Sequence, residues 1–127
     1  MKLIDERYIG PIYSPCCAVK ARELEWNQHP VFGGVSMKHL ITGAQTNGRI
    51  SCHLVRVDPS CVIGLHCHTG QIEIHEVIYG RAVCRIGQKE IDYCTGTLCV
   101  IPEDEEHAVY AGEEGLTLLA KFSPALL

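Results

Sequence analysis

An antiparallel all-β sandwich or barrel is the fold class this sequence predicts, and three observations predict it. Twelve glycines and six prolines punctuate the 127 residues at short intervals. Between them lie short runs rich in β-branched residues, each closed by a turn residue. Only one stretch, Cys17 to Trp26, is compatible with a helix, and it reads equally well as an extended arm. Taken in order, His53–Val57 ends at Asp58-Pro59-Ser60, and Glu73–Tyr79 ends at Gly80. Arg81–Ile86 ends at Gly87, and Leu98–Ile101 at Pro102. Ala108–Tyr110 ends near Gly112, and Leu116–Phe122 at Ser123-Pro124.

The length fits one domain. Hydrophobic residues make up 46% and charged residues 20%, the balance of a folded globular chain and not of a disordered one. The expected organisation is an N-terminal arm over 1–31, followed by a β-barrel over 32–127. Small barrels expose strand edges unless something covers them. The arm, with Val19, Leu24, Trp26, Val31 and Phe32, is suited to cover one within its own chain or on a partner, so a homodimer is expected.

Charge narrows the function classes. The net charge is −4 and the eleven Lys and Arg are scattered, with no basic stripe for nucleic acid. No apolar run reaches the ~18 residues of a membrane span. The first residues carry acids and no apolar core, unlike a signal peptide. A cytoplasmic, reduced setting is therefore expected for the eight cysteines, which contain no Cys-x-x-Cys pair. They read mainly as small core hydrophobes, with Cys67 turned away from its histidine neighbours by alternation.

The histidines are more specific. His66 and His68 are two apart, which on a strand places both imidazoles on one face. Glu73 opens the next strand run, and His107 follows Pro102 by five. Three imidazoles and one carboxylate form a donor set of intermediate hardness. It suits Mn, Fe, Co, Ni, Cu or Zn with positions left for water or substrate. Alternation from an inward Glu73 turns His75, Val77 and Tyr79 inward as well, and Ile74, Glu76 and Ile78 outward. His75 then has two readings, a general acid or base and a hydrogen-bonded group inside the barrel. Tyr79 is read as a core residue or a phenolic donor to substrate.

These spacings resemble the cupin family. Its first motif, G-x5-H-x-H-x(3 or 4)-E-x6-G, is matched by His66, His68, Glu73 and Gly80. Its second, G-x5-P-x-G-x2-H-x3-N, is matched by Gly96, Pro102 and His107. Ser60, Asp104 and Ala111 stand where the motifs have Gly, Gly and Asn. The resemblance spans roughly 50–124 and implies a double-stranded β-helix, or jelly roll. It also implies one divalent transition metal held by His66, His68, Glu73 and His107, and a small molecule bound in the barrel. The tail from Ala120 to Pro124 resembles small cupins that open unsaturated uronate rings, yet Ala120 and Leu126 replace that group's Asp and Arg. The expected function is that of an enzyme acting on an oxygen-rich metabolite, either of Lewis-acid isomerase or lyase type or an Fe-dependent dioxygenase. The alternative is a non-catalytic sensor of a small molecule or metal.

Overall fold

The computed structural model describes residues 10–15 and 17–127. The chain opens with a small hairpin of β1 (Pro11–Ser14) and β2 (Cys17–Lys20), then a 3-10 turn at Ala21–Glu23. Next come β3 (Asn27–Gln28), β4 (Val35–Ile41), a single helical turn α1 (Gly43–Thr46) and β5 (Ser51–Val57). The remaining strands are β6 (Val62–His66), β7 (Ile72–Ile86), β8 (Lys89–Tyr93), β9 (Leu98–Ile101) and β10 (His107–Ser123). The segment from Cys17 to Trp26 thus holds a strand and one 3-10 turn and no α-helix.

Two long strands organise the molecule. β7 and β10 run antiparallel along nearly their whole length, and each takes different partner strands along its two halves. The second half of β10 pairs with β5, which carries β4 and then β3; its first half pairs with β6. The first half of β7 pairs with β9 and its second half with β8. The outcome is the antiparallel jelly roll that the sequence predicts.

The sequence runs 73–79 and 81–86 are one strand, because Gly80 does not end it but bends it. Gly80 and Gly115 meet at the corner with φ of +88° and +80°. A Cβ on Gly80 would collide with the Gly115 carbonyl oxygen, and one on Gly115 would come within 2.9 Å of the Val57 carbonyl oxygen. Only glycine allows both the left-handed backbone and the close crossing.

A bulge accompanies the bend. Thr117 sits opposite Tyr79 while Leu118 sits opposite Val77, so Ile78 is the inserted residue. The insertion shifts the alternation that strict periodicity would carry through to Tyr79. Glu73, His75 and Val77 are buried and inward, as expected. Tyr79 instead packs with Ile78, Leu54 and Leu119 in a cluster separate from the barrel core.

The barrel core includes Val35, Val55, Val57, Val77, Cys84, Tyr93, Val109, Leu116, Leu118 and Phe122. Trp26 covers the separate cluster, with the Arg56 guanidinium 4.0 Å and the Lys38 ammonium 5.2 Å from its ring centroid. Asn27 and Gln28 pair with Met37 and Ser36 along the edge of β4. The cysteines follow the expectation of core packing in part: Cys84 is in the barrel core, Cys61 and Cys99 pack against it, and Cys52 packs against the separate cluster. Among the described seven, all free, only Cys84 is fully buried, and Cys17, Cys67 and Cys94 are exposed. Cys16 lies outside the described residues.

Candidate metal centre

His66 is the last residue of β6, and His68 lies two residues beyond it in the loop to β7. Glu73 is the second residue of β7 and His107 the first of β10, directly opposite His66. Pairing of β6 with β10 sets His66 beside His107. Along the β7–β10 ladder Glu73 lies opposite Phe122 and His107 opposite Ile86, at opposite ends, so these two meet across the barrel interior and not by strand pairing. The His66, His68 and His107 donor atoms lie within 4.8 Å of one another, a group able to hold a metal ion. Glu73 Oε1 is 3.2 Å from His107 Nε2 and 3.5 Å from His68 Nε2.

Hydrogen bonds from behind fix two of the rings. Nδ1 of His66 donates to the Gly64 carbonyl at 2.7 Å, and Nδ1 of His107 donates to the Glu105 carbonyl at 3.0 Å. A neutral imidazole that donates from Nδ1 presents a lone pair at Nε2. His107 Nε2 and Glu73 Oε1 are buried with no hydrogen-bond partner, although they sit within ion-pair distance of each other. Unsatisfied buried donors and acceptors are rare and costly. Here both face one another beside two further imidazoles, which fits a divalent cation.

Electrostatics agree with that reading at Glu73, His66 and His68. Burial pushes the Glu73 carboxyl up, but the His75 and His107 imidazoles outweigh it and hold it well below the usual carboxylate range. Burial depresses His66 and His68 below the ordinary imidazole value, so both favour the neutral, ligating form. At His107 burial acts the same way, but the Glu73 carboxylate and the Glu105 carbonyl reverse it and raise the value.

His75 stands behind Glu73 rather than in front of it. Its Nε2 donates to Glu73 Oε2 at 2.8 Å, and its Nδ1 accepts from the Tyr93 hydroxyl at 2.8 Å. The ring is 3% exposed and both nitrogens are engaged. Tyr93, which motif spacing does not single out, is buried on β8, and desolvation keeps its phenol protonated and therefore a donor. A signal for it exists in Lys89–Tyr93, where polar and apolar residues alternate after the Gly87 turn.

Two of the motif departures adopt the left-handed backbone that glycine takes most easily. Ser60 and Asp104 have φ of +60° and +63°. Aspartate tolerates that region when its side chain bonds locally. The Asp104 carboxylate accepts from Gly70 N at 3.2 Å, and its own N–H donates to the His68 carbonyl at 3.1 Å. The loop carrying His68 is thereby tied to the loop before His107.

A cavity of about 160 Å³ opens beside the cluster. His66, His68, Glu73 and His75 line it, together with His29 and the apolar side chains of Val35, Met37, Val55, Ile63, Leu118, Ala120, Phe122 and Leu126. His29 matches no motif and gives no signal in the sequence, and Tyr79 does not line this cavity. A larger hollow of about 250 Å³ lies between the β1–β2 hairpin and the β4–α1 corner, away from the His cluster.

No protein-family model matches the chain. An oxalate-binding protein of Thermotoga maritima is 27% identical over 90 residues, covering 69% of this chain and 74% of that protein. The crystal structure of a predicted oxalate decarboxylase, also from Thermotoga maritima, superposes with a TM-score of 0.75. It is 25% identical and covers 84% of this chain and 97% of its own. An RmlC-like cupin from Shewanella frigidimarina gives a TM-score of 0.73 at 18% identity, covering 85% of this chain and 90% of its own.

Proposed function

The chain is a small single-domain protein of the cupin fold, and we propose that it binds one divalent transition metal through His66, His68, Glu73 and His107 and uses it on a small oxygen-bearing molecule. The observation that carries this is the pair of orphaned, buried atoms, Glu73 Oε1 and His107 Nε2, beside His66 and His68, which line a cavity together with Glu73. His66, His68, Glu73 and His107 would hold the ion, and a first-row divalent ion that takes more than four donors would keep room for a ligand. When bound there, the ion supplies Lewis acidity, polarising a coordinated oxygen. With iron, oxygen-dependent chemistry belongs to the same reading. The protein fixes the tautomers of His66 and His107, orients Glu73 through His75, and excludes water with Leu118 and Phe122.

Elemental analysis of the purified protein and of His66→Ala and His107→Ala tests the site. About one ion per chain in the native protein and substantial loss in both variants is expected; full retention by both would overturn the assignment. A second reading, capture of the ligand without turnover, draws on His75. With both nitrogens engaged, it is not free to accept a proton from substrate. Binding without product formation across a panel of keto acids, sugars and thiols would select it.

A homodimer in a reducing cytoplasm belongs to the same proposal. β9 pairs, among the described residues, with β7 alone, and it exposes Leu98 and Val100 near the exposed Ile72. Sedimentation equilibrium checks this part, and a monomer at micromolar concentration would refute it.

A further inference from the structure

The lining of the metal cavity restricts what can enter it. Apart from the proposed ligands and His75, His29 is its one polar side chain among the described residues, and no Lys or Arg reaches it. Lys38 is committed elsewhere, its Nζ donating to the Ala21 carbonyl and lying near Trp26. Arg56 stacks on the same indole. The rest of the wall is aliphatic or aromatic, including Val35, Met37, Ile63 and Leu118.

Charge and hydrogen bonding then act as filters. A divalent ion with one carboxylate ligand leaves a net charge of +1, which a monoanion neutralises. A second negative charge would be buried against hydrocarbon with no cation to pair it. A polyhydroxylated sugar would leave several hydroxyls without partners, each at a cost of about 1–3 kcal/mol. A short hydrocarbon body meets no such penalty. The cavity, about 160 Å³, has room for a compact molecule.

His29 adds a directional element. Its Nδ1 accepts from the backbone N–H groups of Val31 and Phe32, both at 3.1 Å, and its ring stacks on Phe32 with centroids 4.6 Å apart. A neutral ring accepting at Nδ1 carries its proton on Nε2. The backbone thus sets His29 as an N–H donor on the cavity wall.

Building on the metal site above, we propose that the cavity takes a small monoanionic chelator with an apolar body, of the 2-oxo monocarboxylate class. Its carbonyl and one carboxylate oxygen would bind the ion, and the other carboxylate oxygen would accept from His29. This narrows the oxygen-rich metabolite expected from the sequence to a molecule with oxygens at one end only. It also sets this cavity apart from a site made for a dianion such as oxalate.

Titration calorimetry on the full chain loaded with Mn(II) tests the proposal, using 2-oxoisovalerate, oxalate and galacturonate as probes. The expected result is that 2-oxoisovalerate binds at least about tenfold more tightly than either other probe. In His29→Asn the side-chain oxygen still accepts from the two backbone groups, but the distal donor is gone. Metal content is expected to stay unchanged while 2-oxoisovalerate weakens by about tenfold. Equal or tighter binding of oxalate or galacturonate overturns the proposal and leaves the metal site standing. An unchanged affinity in His29→Asn overturns the assignment of His29. A protein that takes up no Mn(II) or other divalent ion overturns both the metal site and this inference.

Discussion

At the scale of single residues, the site is built from the outside inwards. Tyr93 holds His75, His75 holds Oε2 of Glu73, and Oε1 is left to face the three imidazoles. Replacing His75 by Ala removes the donor to a buried carboxylate, and the expected effect is a loss of roughly 10–100-fold in metal affinity. Tyr93→Phe leaves His75 Nδ1 without its donor. A smaller affinity loss is expected there, with ~1–3 kcal/mol of stability lost. Competition with a chromophoric chelator and urea denaturation measure the two; wild-type affinity in His75→Ala would show that the support is dispensable. His53 makes a separate prediction. It is fully buried, and desolvation, with a smaller contribution from the charge of His39, lowers its pKa from 6.5 to about 4. Between those pH values the unfolded chain binds more protons than the fold, so stability rises with pH there. The contribution is fully present above pH 6.5, is lost as pH falls towards 4, and is constant below. About 3 kcal/mol is at stake. Urea midpoints at about pH 7 and pH 4.5, on either side of the ordinary imidazole value, should therefore converge in His53→Asn relative to the native protein; an unchanged pH dependence would remove His53 as its source.

At the scale of elements, the β7–β10 corner decides where every inward residue points. Gly80→Ala puts a methyl group against the Gly115 carbonyl in addition to the strain of a positive φ. Gly48→Ala, at φ of +77° with open space around it, carries the strain alone. The expected losses are at least ~3 kcal/mol for the first and ~1 kcal/mol for the second. Thermal unfolding of both variants separates the close approach from the backbone conformation, and equal losses would mean that the corner has slack. This corner also marks how far the sequence alone is legible. Motif spacing is enough to group His66, His68, Glu73 and His107, and strand alternation is enough to turn His75 inward, because Glu73 and His75 both precede the bulge on β7. Tyr79 lies beyond it, and a one-residue insertion leaves no trace in hydrophobic periodicity. The strands β4, β6 and β8 escape notice because Ser36, Lys38, Gly64, Glu90 and Asp92 interrupt their apolar content. The exposed cysteines, Cys17, Cys67 and Cys94, escape the core-packing expectation that Cys52, Cys61, Cys84 and Cys99 meet. Their type favours burial on average, but Cys67 lies in a loop whose backbone is set by Gly70 and Asp104, not by a strand.

At the scale of the whole molecule, the proposed ligands come from the end of β6, the loop after it, the start of β7 and the start of β10. An ion held by all four ties both sheets of the jelly roll at one end, while the Gly80–Gly115 corner ties the two long strands further along. Without the ion, Glu73 and His107 keep buried polar atoms that lack hydrogen-bond partners. Binding to the folded chain alone adds RT ln(1 + [M]/Kd), about 4 kcal/mol when the free ion stands at roughly a thousand times its dissociation constant. Chelator treatment should therefore lower the thermal midpoint by roughly 10 °C or more, and the fold should persist, since its core of Val55, Val77, Leu116 and Leu118 needs no ion. Adding back Mn(II), Fe(II), Co(II), Ni(II) or Zn(II) should restore the midpoint in proportion to affinity. His66→Ala should lose that response while unfolding cooperatively near the midpoint of the stripped protein. A native midpoint indifferent to both chelator and added ions would separate the histidine cluster from metal binding altogether. It would then leave Glu73 and its imidazoles as an ion-paired network inside a binding barrel.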